Sequence, residues 1–302
     1  MDDADVIIVG AGPAGLSAAL VLGRACRRVL VFDHGRPRNA SARALHGYLT
    51  RDGVAPFDFR AIARAELSCY RDVVIHDAEV TAAVCGDDGR FAVTTASGRR
   101  FTSAKLLIAT GVADNVPDVP GVREMYGTSI FHCPYCDGYE VRGRRLAVYG
   151  SDRRGYGLAL ELTGWSADVV LVSDGPCGID AAGLARLARQ NIRLYEQRVA
   201  RFDGAGGQLR RIVFKDGTAV DCEAAFFTTG QTQRSRLAEA LGCEFNDKGT
   251  VRTGPYETTH LAGLYVAGDA SRAVQWVIVA AAEGAEAAYS INQDLIKDAL
   301  ID

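Results

Sequence analysis

The chain has 302 residues, 48% hydrophobic and 24% charged, with 33 glycines and a formal net charge of -3. That length admits two domains with separate cores, and the balance excludes a disordered or fibrous chain and a basic footprint for nucleic acid. Eight cysteines are too sparse and scattered for a secreted disulfide framework, no stretch approaches the roughly 18 apolar residues of a membrane helix, and an acidic N-terminus is unlike a signal peptide, so a cytoplasmic location is expected.

In chain order, "DVIIVGAGPAGLSAALVLGRACRRVLVFD" predicts a strand, a glycine turn, an amphipathic helix, a second strand and a terminal acid. Gly10, Gly12 and Gly15 have the GxGxxG spacing, with Pro13 and Ala14 inside the turn. The first glycine permits the tight turn, the second lets backbone approach a pyrophosphate, and the third lets helix pack on strand. The helix N-terminus offers free N–H groups to phosphate. Asp33, about 20 residues on, is placed to accept from ribose hydroxyls. The motif specifies a dinucleotide without saying which.

"KLLIATGVADNVPDVPG" predicts a buried strand running into Ala109, Thr110 and Gly111. "FHCPYCDGYEVRG" then sets Cys133 and Cys136 three apart, behind His132 and ahead of Asp137. That spacing serves zinc, haem attachment and dithiol chemistry alike, but no second CxxC or HxxxH lies nearby to complete four zinc ligands, so no metal is expected. The other cysteines, Cys26, Cys69, Cys85, Cys177, Cys222 and Cys243, read as buried inert thiols.

"RRLAVYGSDRRGYGLALELTGWSADVVLVSD" repeats the opening pattern of strand, glycine turn, helix and strand. Gly150 stands for the first glycine, but Asp152 holds the second position, unfavourable to a pyrophosphate in both shape and charge. Arg153 and Arg154 either compensate or lie on a solvated surface. Finally, "THLAGLYVAGDASRAVQWVIVAAAEGAEAAYSIN" predicts a strand, Gly268 and Asp269, and a long alanine-rich helix. A second helix N-terminus beside an acid suits the far end of a large cofactor.

Taken together, "GAGPAG", "ATG", "CPYCDG" and "GLYVAGD" resemble the low-molecular-weight thioredoxin reductase family of FAD-dependent disulfide oxidoreductases, over essentially the whole chain. The resemblance implies an α/β fold of two nested Rossmann-like, three-layer ββα domains, the second inserted in the first. The FAD domain would comprise residues 1–113 and 241–302, and the insert with the CxxC residues 114–240. It implies FAD against the glycine turn, with His34, Arg38, Asn39, His46 and Val80 along it, and Gln275, Trp276 and Val277 reaching its ring from the last helix. Trp276 reads equally well as a wall of a substrate pocket or as core packing. A homodimer is implied by the resemblance alone.

Two departures from the reductase pattern bear on function. The family's arginine cluster for the NADPH 2'-phosphate is missing, since no arginine lies between Val169 and Ala185 and Asp174 would repel a phosphate; NADP is expected not to bind. The stretch "DHGRPRNASARALHGYLTRDGVAPFDF" also lacks the reductase glycine-glycine-glutamine. With "CPYCDGYE", these features resemble the branch of natural-product dithiol oxidases of gliotoxin, holomycin and romidepsin biosynthesis, the holomycin type favoured. That resemblance implies a small-molecule dithiol as substrate and molecular oxygen as acceptor, with hydrogen peroxide formed. Cys133 would meet the substrate, Cys136 the flavin, and Asp137 would shuttle a proton. An Asp137 cap on the next turn and a His132 that merely satisfies a local hydrogen bond remain open, as does Tyr135 as a wall for an apolar ligand. The competing readings are an NAD(P)H-dependent disulfide reductase and a flavin redox sensor without turnover.

Overall fold

The computed structural model describes residues 3–301, and the chain divides into two compact units. The first holds residues up to Ala40, then Gly47–Ala113 and Gln231 onward; the second holds Ser41–His46 and Asp114–Gly230. The chain therefore returns to the first unit at Gln231, earlier than the 241 read from sequence, and a short piece near His46 belongs with the insert.

The first unit is built on the strand Asp3–Val9, which pairs in parallel with Val29–Phe32 on one side and Arg100–Ile108 on the other. Val73–His76 extends the sheet beyond Val29–Phe32. The long strand Arg100–Ile108 is shared: its first half carries Phe91–Thr95 antiparallel, its second half Leu264–Val266 parallel. Val6, Ile7, Ile8, Val29 and Val31 are completely or almost completely buried, as expected for a parallel strand covered on both faces. Each such side chain contributes about 1.5–3 kcal/mol by leaving water. On one face lie the helices Pro13–Arg24 and Val277–Ile301, sharing Ala14, Ala18, Ala287 and Ile291 in one core. On the other lie the antiparallel strands with Phe91, Val93 and Phe101.

The second unit repeats this plan. Its parallel sheet runs Arg193–Tyr195, Val169–Val172, Leu146–Tyr149, Ala224–Phe227, Ile130–Phe131 in space, and the three-stranded antiparallel sheet Val199–Ala205, Gln208–Phe214, Ala219–Asp221 covers one face through Phe202, Ile212 and Phe214. The helix Asp152–Leu162 covers the other through Leu158, Ala159 and Leu162. Two nested ββα units are thus observed as the sequence pattern indicates. Among the described residues, no helix is long and apolar enough to cross a membrane.

The isolated cysteines split. Cys177, Cys222 and Cys243 are buried, but Cys26 and Cys69 are exposed and Cys85 intermediate. The reason is local: Cys26 occupies the left-handed position, φ 58°, that ends the helix Pro13–Arg24, and Cys69 follows the end of Pro56–Leu67. Burial pushes the Cys222 thiol up to about 12 and the Cys243 thiol up to about 11. Iodoacetamide on the native protein should label Cys26 and Cys69 well before Cys222 and Cys243, read by peptide mass spectrometry; equal labelling would refute this burial pattern.

Candidate active site

In the first unit the strand Asp3–Val9 delivers the chain into the glycine turn. A Cβ on Gly10, φ +111°, would stand 2.3 Å from the Ala109 carbonyl oxygen, and one on Gly15 would stand 1.8 Å from that of Gly10. Both positions are closed to any side chain. At Gly12 an added Cβ meets nothing within 4 Å, so the turn opens outward there, at the start of a helix that no side chain caps. Ala109 is buried and Thr110 half-buried beside it, and Gly111 at φ +66° has Asp269 Cβ within 3.9 Å of its own Cβ position.

Asp33 is buried at the end of the second strand, but its carboxylate is already engaged. Arg60 Nη2 and Arg64 Nη1 donate to Oδ2, the latter at 3.1 Å, and the Gly35 amide donates to Oδ1 at 3.0 Å. Arg60 Nε also donates to the Ala11 carbonyl at 3.2 Å, tying the acid to the glycine turn. Both arginines come from the helix Pro56–Leu67, which carries no motif. Next to Asp33, His34 Nδ1 accepts from the Arg36 amide at 3.0 Å.

Arg38 collects groups distant in sequence. Its Nη1 donates to Asp269 Oδ2 at 2.8 Å and to Gln275 Oε1 at 2.6 Å, and its Nη2 to Gln231 Oε1 at 3.3 Å. Asn39 is half-buried beside it in sequence, Val80 is buried at the start of its strand, and Val277 is half-buried where the last helix begins. Trp276 is 38% exposed, which removes the core-packing reading for it.

At Gly268 two buried carboxylates share a half-exposed arginine. Glu283 Oε2 accepts the Gly268 amide at 2.8 Å, Glu283 Oε1 pairs with Arg272 Nε at 2.9 Å, and Arg272 Nη2 also pairs with the fully buried Glu257. Burial, with the nearby Glu257 charge, pushes the Glu283 carboxyl up to about 7 against the opposing Gly268 amide and Arg272. Glu257 and its neighbour Tyr256 are both left-handed, φ 64° and 56°, a strained pair that the cluster holds in place.

In the second unit Cys133 and Cys136 are joined in a disulfide with their Cα atoms 5.3 Å apart. The strand Ile130–Phe131 leads into it, and Pro134 starts the single turn Pro134–Asp137, in which the Cys136 and Asp137 amides both donate to the Cys133 carbonyl at 3.2 Å. Pro at the first helical position suits this turn. Tyr135 is 58% exposed and stands edge-on to Trp165, ring centres 5.3 Å apart. Burial pushes the Asp137 carboxyl up to about 7, with the Glu140 charge adding to the rise and His46 opposing it. His46 itself lies in the second unit, Nε2 3.6 Å from Glu140 Oε1. The structure thus groups it with Glu140 in the second unit, because Ser41–His46 packs with the insert. Ahead of the disulfide in the chain, His132 Nδ1 lies 3.1 Å from Tyr126 Oη, whose hydroxyl donates to Asp114 Oδ2 at 3.1 Å.

The second glycine turn has the outline of the first and a different interior. Gly150 N–H donates to Val172 O at 3.0 Å just as Gly10 N–H donates to Phe32 O at 2.8 Å, and a Cβ on Gly155 would lie 2.2 Å from the Gly150 carbonyl. Asp152, however, is left-handed at φ 54°. Its amide donates to Cys177 O at 2.7 Å, and its Oδ1 accepts the Arg154 amide at 2.9 Å. Two donors at this helix start are therefore satisfied internally, in a cavity of about 290 Å³ lined by Tyr149, Asp152, Arg154, Asp174 and Thr228 among others. The Asp174 carboxylate is occupied as well, accepting from Tyr149 Oη at 2.8 Å and Val199 N at 2.7 Å. Arg198, beyond the arginine-free stretch Val169–Ala185, reaches this loop, but its Nη1 donates to Asp174 O at 2.6 Å.

Comparison with known proteins agrees with this architecture. Residues 4–284 match the family described as pyridine nucleotide-disulphide oxidoreductase. "Thioredoxin reductase tcpT" of Claviceps purpurea is 33% identical, the match covering 97% of this chain and 95% of the relative, and "Thioredoxin reductase sirT" of Leptosphaeria maculans is 31% identical over 95% and 93%. Among solved structures, that of HlmI superposes with a TM-score of 0.94 at 35% identity, covering 98% of this chain and 94% of the other. A putative thioredoxin reductase TrxB from Bacillus anthracis superposes with a TM-score of 0.92 at 31% identity over 98% and 99%. With two nested dinucleotide-type turns and a CxxC disulfide in the second unit, the chain belongs to the pyridine nucleotide-disulphide oxidoreductases, among the thioredoxin reductase-like flavoprotein enzymes.

Proposed function

We propose that this protein is an FAD-dependent dithiol oxidase that closes an intramolecular disulfide in a small natural-product dithiol of the holomycin kind, with molecular oxygen as the final acceptor. The observation that carries this reading is the second glycine turn. Asp152 places a carboxylate and its own cap where a pyrophosphate would need free amides, which disfavours NADP and leaves the thiols of the substrate as the electron source.

The first unit fits FAD. Gly12 leaves open space before an uncapped helix N-terminus, and Gly10 and Gly15 are held at backbone contact. Gly10, Gly12, Pro13, Ala14 and Gly15 would hold the pyrophosphate, with Asp33 and His34 toward the ribose. Arg38 and Asn39, the Val80 and Ala109–Gly111 edges, and Gly268, Asp269, Gln275, Trp276 and Val277 would line the remainder. Bound there, FAD would supply the two-electron acceptor for the Cys133–Cys136 dithiol, with molecular oxygen as the final acceptor and hydrogen peroxide as its product.

The chain's own residues do the thiol chemistry. One substrate thiolate attacks Cys133 Sγ, the Cys133–Cys136 bond breaks, and Cys136 leaves as thiolate. The second substrate thiolate then attacks the sulfur joined to Cys133, closing the product disulfide and releasing Cys133. Asp137, with its carboxyl near 7, holds or gives up a proton beside Cys136 at neutral pH. Exposed Tyr135 against Trp165 offers an aromatic surface to a small apolar ligand.

The test is anaerobic addition of NADPH, NADH or dithiothreitol, separately, to the yellow protein, followed in the flavin absorption band. Bleaching by the dithiol alone, with colour and peroxide returning on admission of air, is expected. Rapid bleaching by NADPH or NADH would overturn the oxidase and favour a reductase. A dithiol that bleaches without air restoring the colour would remove oxygen as acceptor.

A further inference from the structure

We propose that Glu283 is a positioning residue for the flavin site, its carboxylate holding the Gly268 amide so that the turn Gly268–Ala270 keeps the Asp269 side chain in place. The inference rests on the assignment of FAD to the first unit.

The strand Leu264–Val266 pairs with Leu106–Ile108, and the Ala267 amide still donates to Ile108 O at 3.1 Å. Gly268 is the first residue past that ladder. It is left-handed at φ +78°, and a Cβ there would stand 3.0 Å from Ala14 Cβ and 3.6 Å from Ala280 Cβ. The residue is buried against the first turns of two helices, and its N–H needs an acceptor that the sheet does not supply. Glu283 provides it: Oε2 accepts the Gly268 amide at 2.8 Å, from a side chain 7% exposed.

The turn that begins at this amide carries Asp269. The Ser271 amide donates to Gly268 O at 2.9 Å, Gln275 Nε2 donates to Asp269 O at 3.1 Å, and Arg38 Nη1 donates to Asp269 Oδ2 at 2.8 Å. Fixing the Gly268 N–H therefore fixes where the turn starts and the direction in which Asp269 leaves it. Gly284, the next residue of the last helix, is the one whose Cβ would stand 2.0 Å from the Ala14 carbonyl oxygen. Two consecutive residues of that helix thus hold both turns assigned to the cofactor.

The rest of the cluster supplies charge and not direction. Arg272 Nε stands 2.9 Å from Glu283 Oε1 as an ion pair, with its N–H not aligned as a hydrogen bond. Arg272 Nη2 is bonded to Glu257, whose other oxygen accepts from Thr253 Oγ1 at 3.3 Å. The directed bond of Glu283 is the one to Gly268. A buried ion pair adds little stability over apolar side chains of the same volume, so stability is no sufficient reason for a carboxylate here, whereas a buried amide in need of an acceptor is.

The experiment measures the Kd for FAD of the full chain, by equilibrium dialysis from the holoenzyme, in two variants that separate reach from charge. Glu283→Gln keeps an acceptor at full reach without the charge; Glu283→Asp keeps the charge and draws the acceptor back by one methylene. The Kd should rise about tenfold in Glu283→Asp and less than about threefold in Glu283→Gln, because a neutral acceptor still satisfies the amide. Asp269→Ala should weaken FAD binding about tenfold in the wild type and less than about twofold in Glu283→Asp, since coupled residues lose their effects together. Wild-type affinity in Glu283→Asp would overturn the proposal, as would an equal or larger loss in Glu283→Gln, or a full cost of Asp269→Ala in the Glu283→Asp background. Should Glu283→Asp not fold, Glu283→Gln decides alone, a loss of about tenfold or more there being fatal to the proposal. A wild type that takes up no FAD would sink the cofactor assignment together with this inference, whereas variants that break the pattern in a yellow protein would sink this inference alone.

Discussion

Replacement of Asp137 by Asn is expected to slow turnover with a small dithiol about a hundredfold, within the usual contribution of a positioned acid or base. The carboxyl is pushed up to about 7 by burial and by Glu140, so at neutral pH it is divided between acid and base forms. In the proposed exchange the acid form would protonate the Cys136 thiolate as the disulfide opens. Expressed per thiolate of substrate, the opening rate of the wild type should therefore fall as pH rises through about 7, and Asp137→Asn should lack that limb. Stability gives an independent reading with a fixed sign. A carboxyl whose folded value is raised favours folding while protonated, so its contribution is complete below 3.8 and is lost as pH rises through about 7. Asp137→Asn, which cannot ionise, should then melt higher than the wild type at pH 8 and close to it at pH 4. A variant with unchanged rate, or a melting difference that grows toward acid, would remove Asp137 from this role.

Gly284→Val should cost the protein its flavin and part of its stability together. Gly284 lies in the last helix, Val277–Ile301, where an added Cβ would stand 2.0 Å from the carbonyl oxygen and 2.7 Å from the carbonyl carbon of Ala14. Those are backbone atoms of the first helical turn, the same turn that Gly12 leaves open, so the helices must separate or the turn must shift. Overpacking of this kind costs about 1–3 kcal/mol. The control is Gly12→Ala, whose Cβ meets nothing within 4 Å; it should keep the melting temperature of the flavin-free wild type yet retain less than about a tenth of the flavin, a loss worth about 1.4 kcal/mol of binding. The ratio of flavin to protein absorbance and a thermal melt decide both cases. Full flavin content in Gly284→Val would show that the contact of the two helices does not shape the turn.

Much of this protein is local in its chemistry and so was readable in order along the chain. Strand, glycine turn, helix and acid follow within one βαβ unit, because the backbone demands at Gly10 and Gly15 arise from their own neighbours. The CxxC pair is local for the same reason: three residues of chain bring two sulfurs into bonding range. Even the damage to the second turn was visible as Asp152 in a glycine position, though its severity was not. Only the folded chain brings Cys177 O onto the Asp152 amide and lets Asp152 cap the helix with its own carboxylate.

What the tertiary structure decided is every partner drawn from a distant element. Asp33 reads from sequence as a ribose acceptor, and only the fold adds the two arginines of the helix Pro56–Leu67 that hold its carboxylate; a helix face declares its apolar side in sequence, not the acid its arginines will meet. His46 went to the second unit because packing, which has no signature in six residues, assigned Ser41–His46 there. The clusters Glu257–Arg272–Glu283 and Asp114–Tyr126–His132 are likewise invisible to spacing. Gly284 alone left a trace, a glycine inside an alanine-rich helix where it costs stability unless something must come close. Backbone geometry is written within a few residues, whereas ionic and hydrogen-bond partners are chosen by which surfaces the fold presses together.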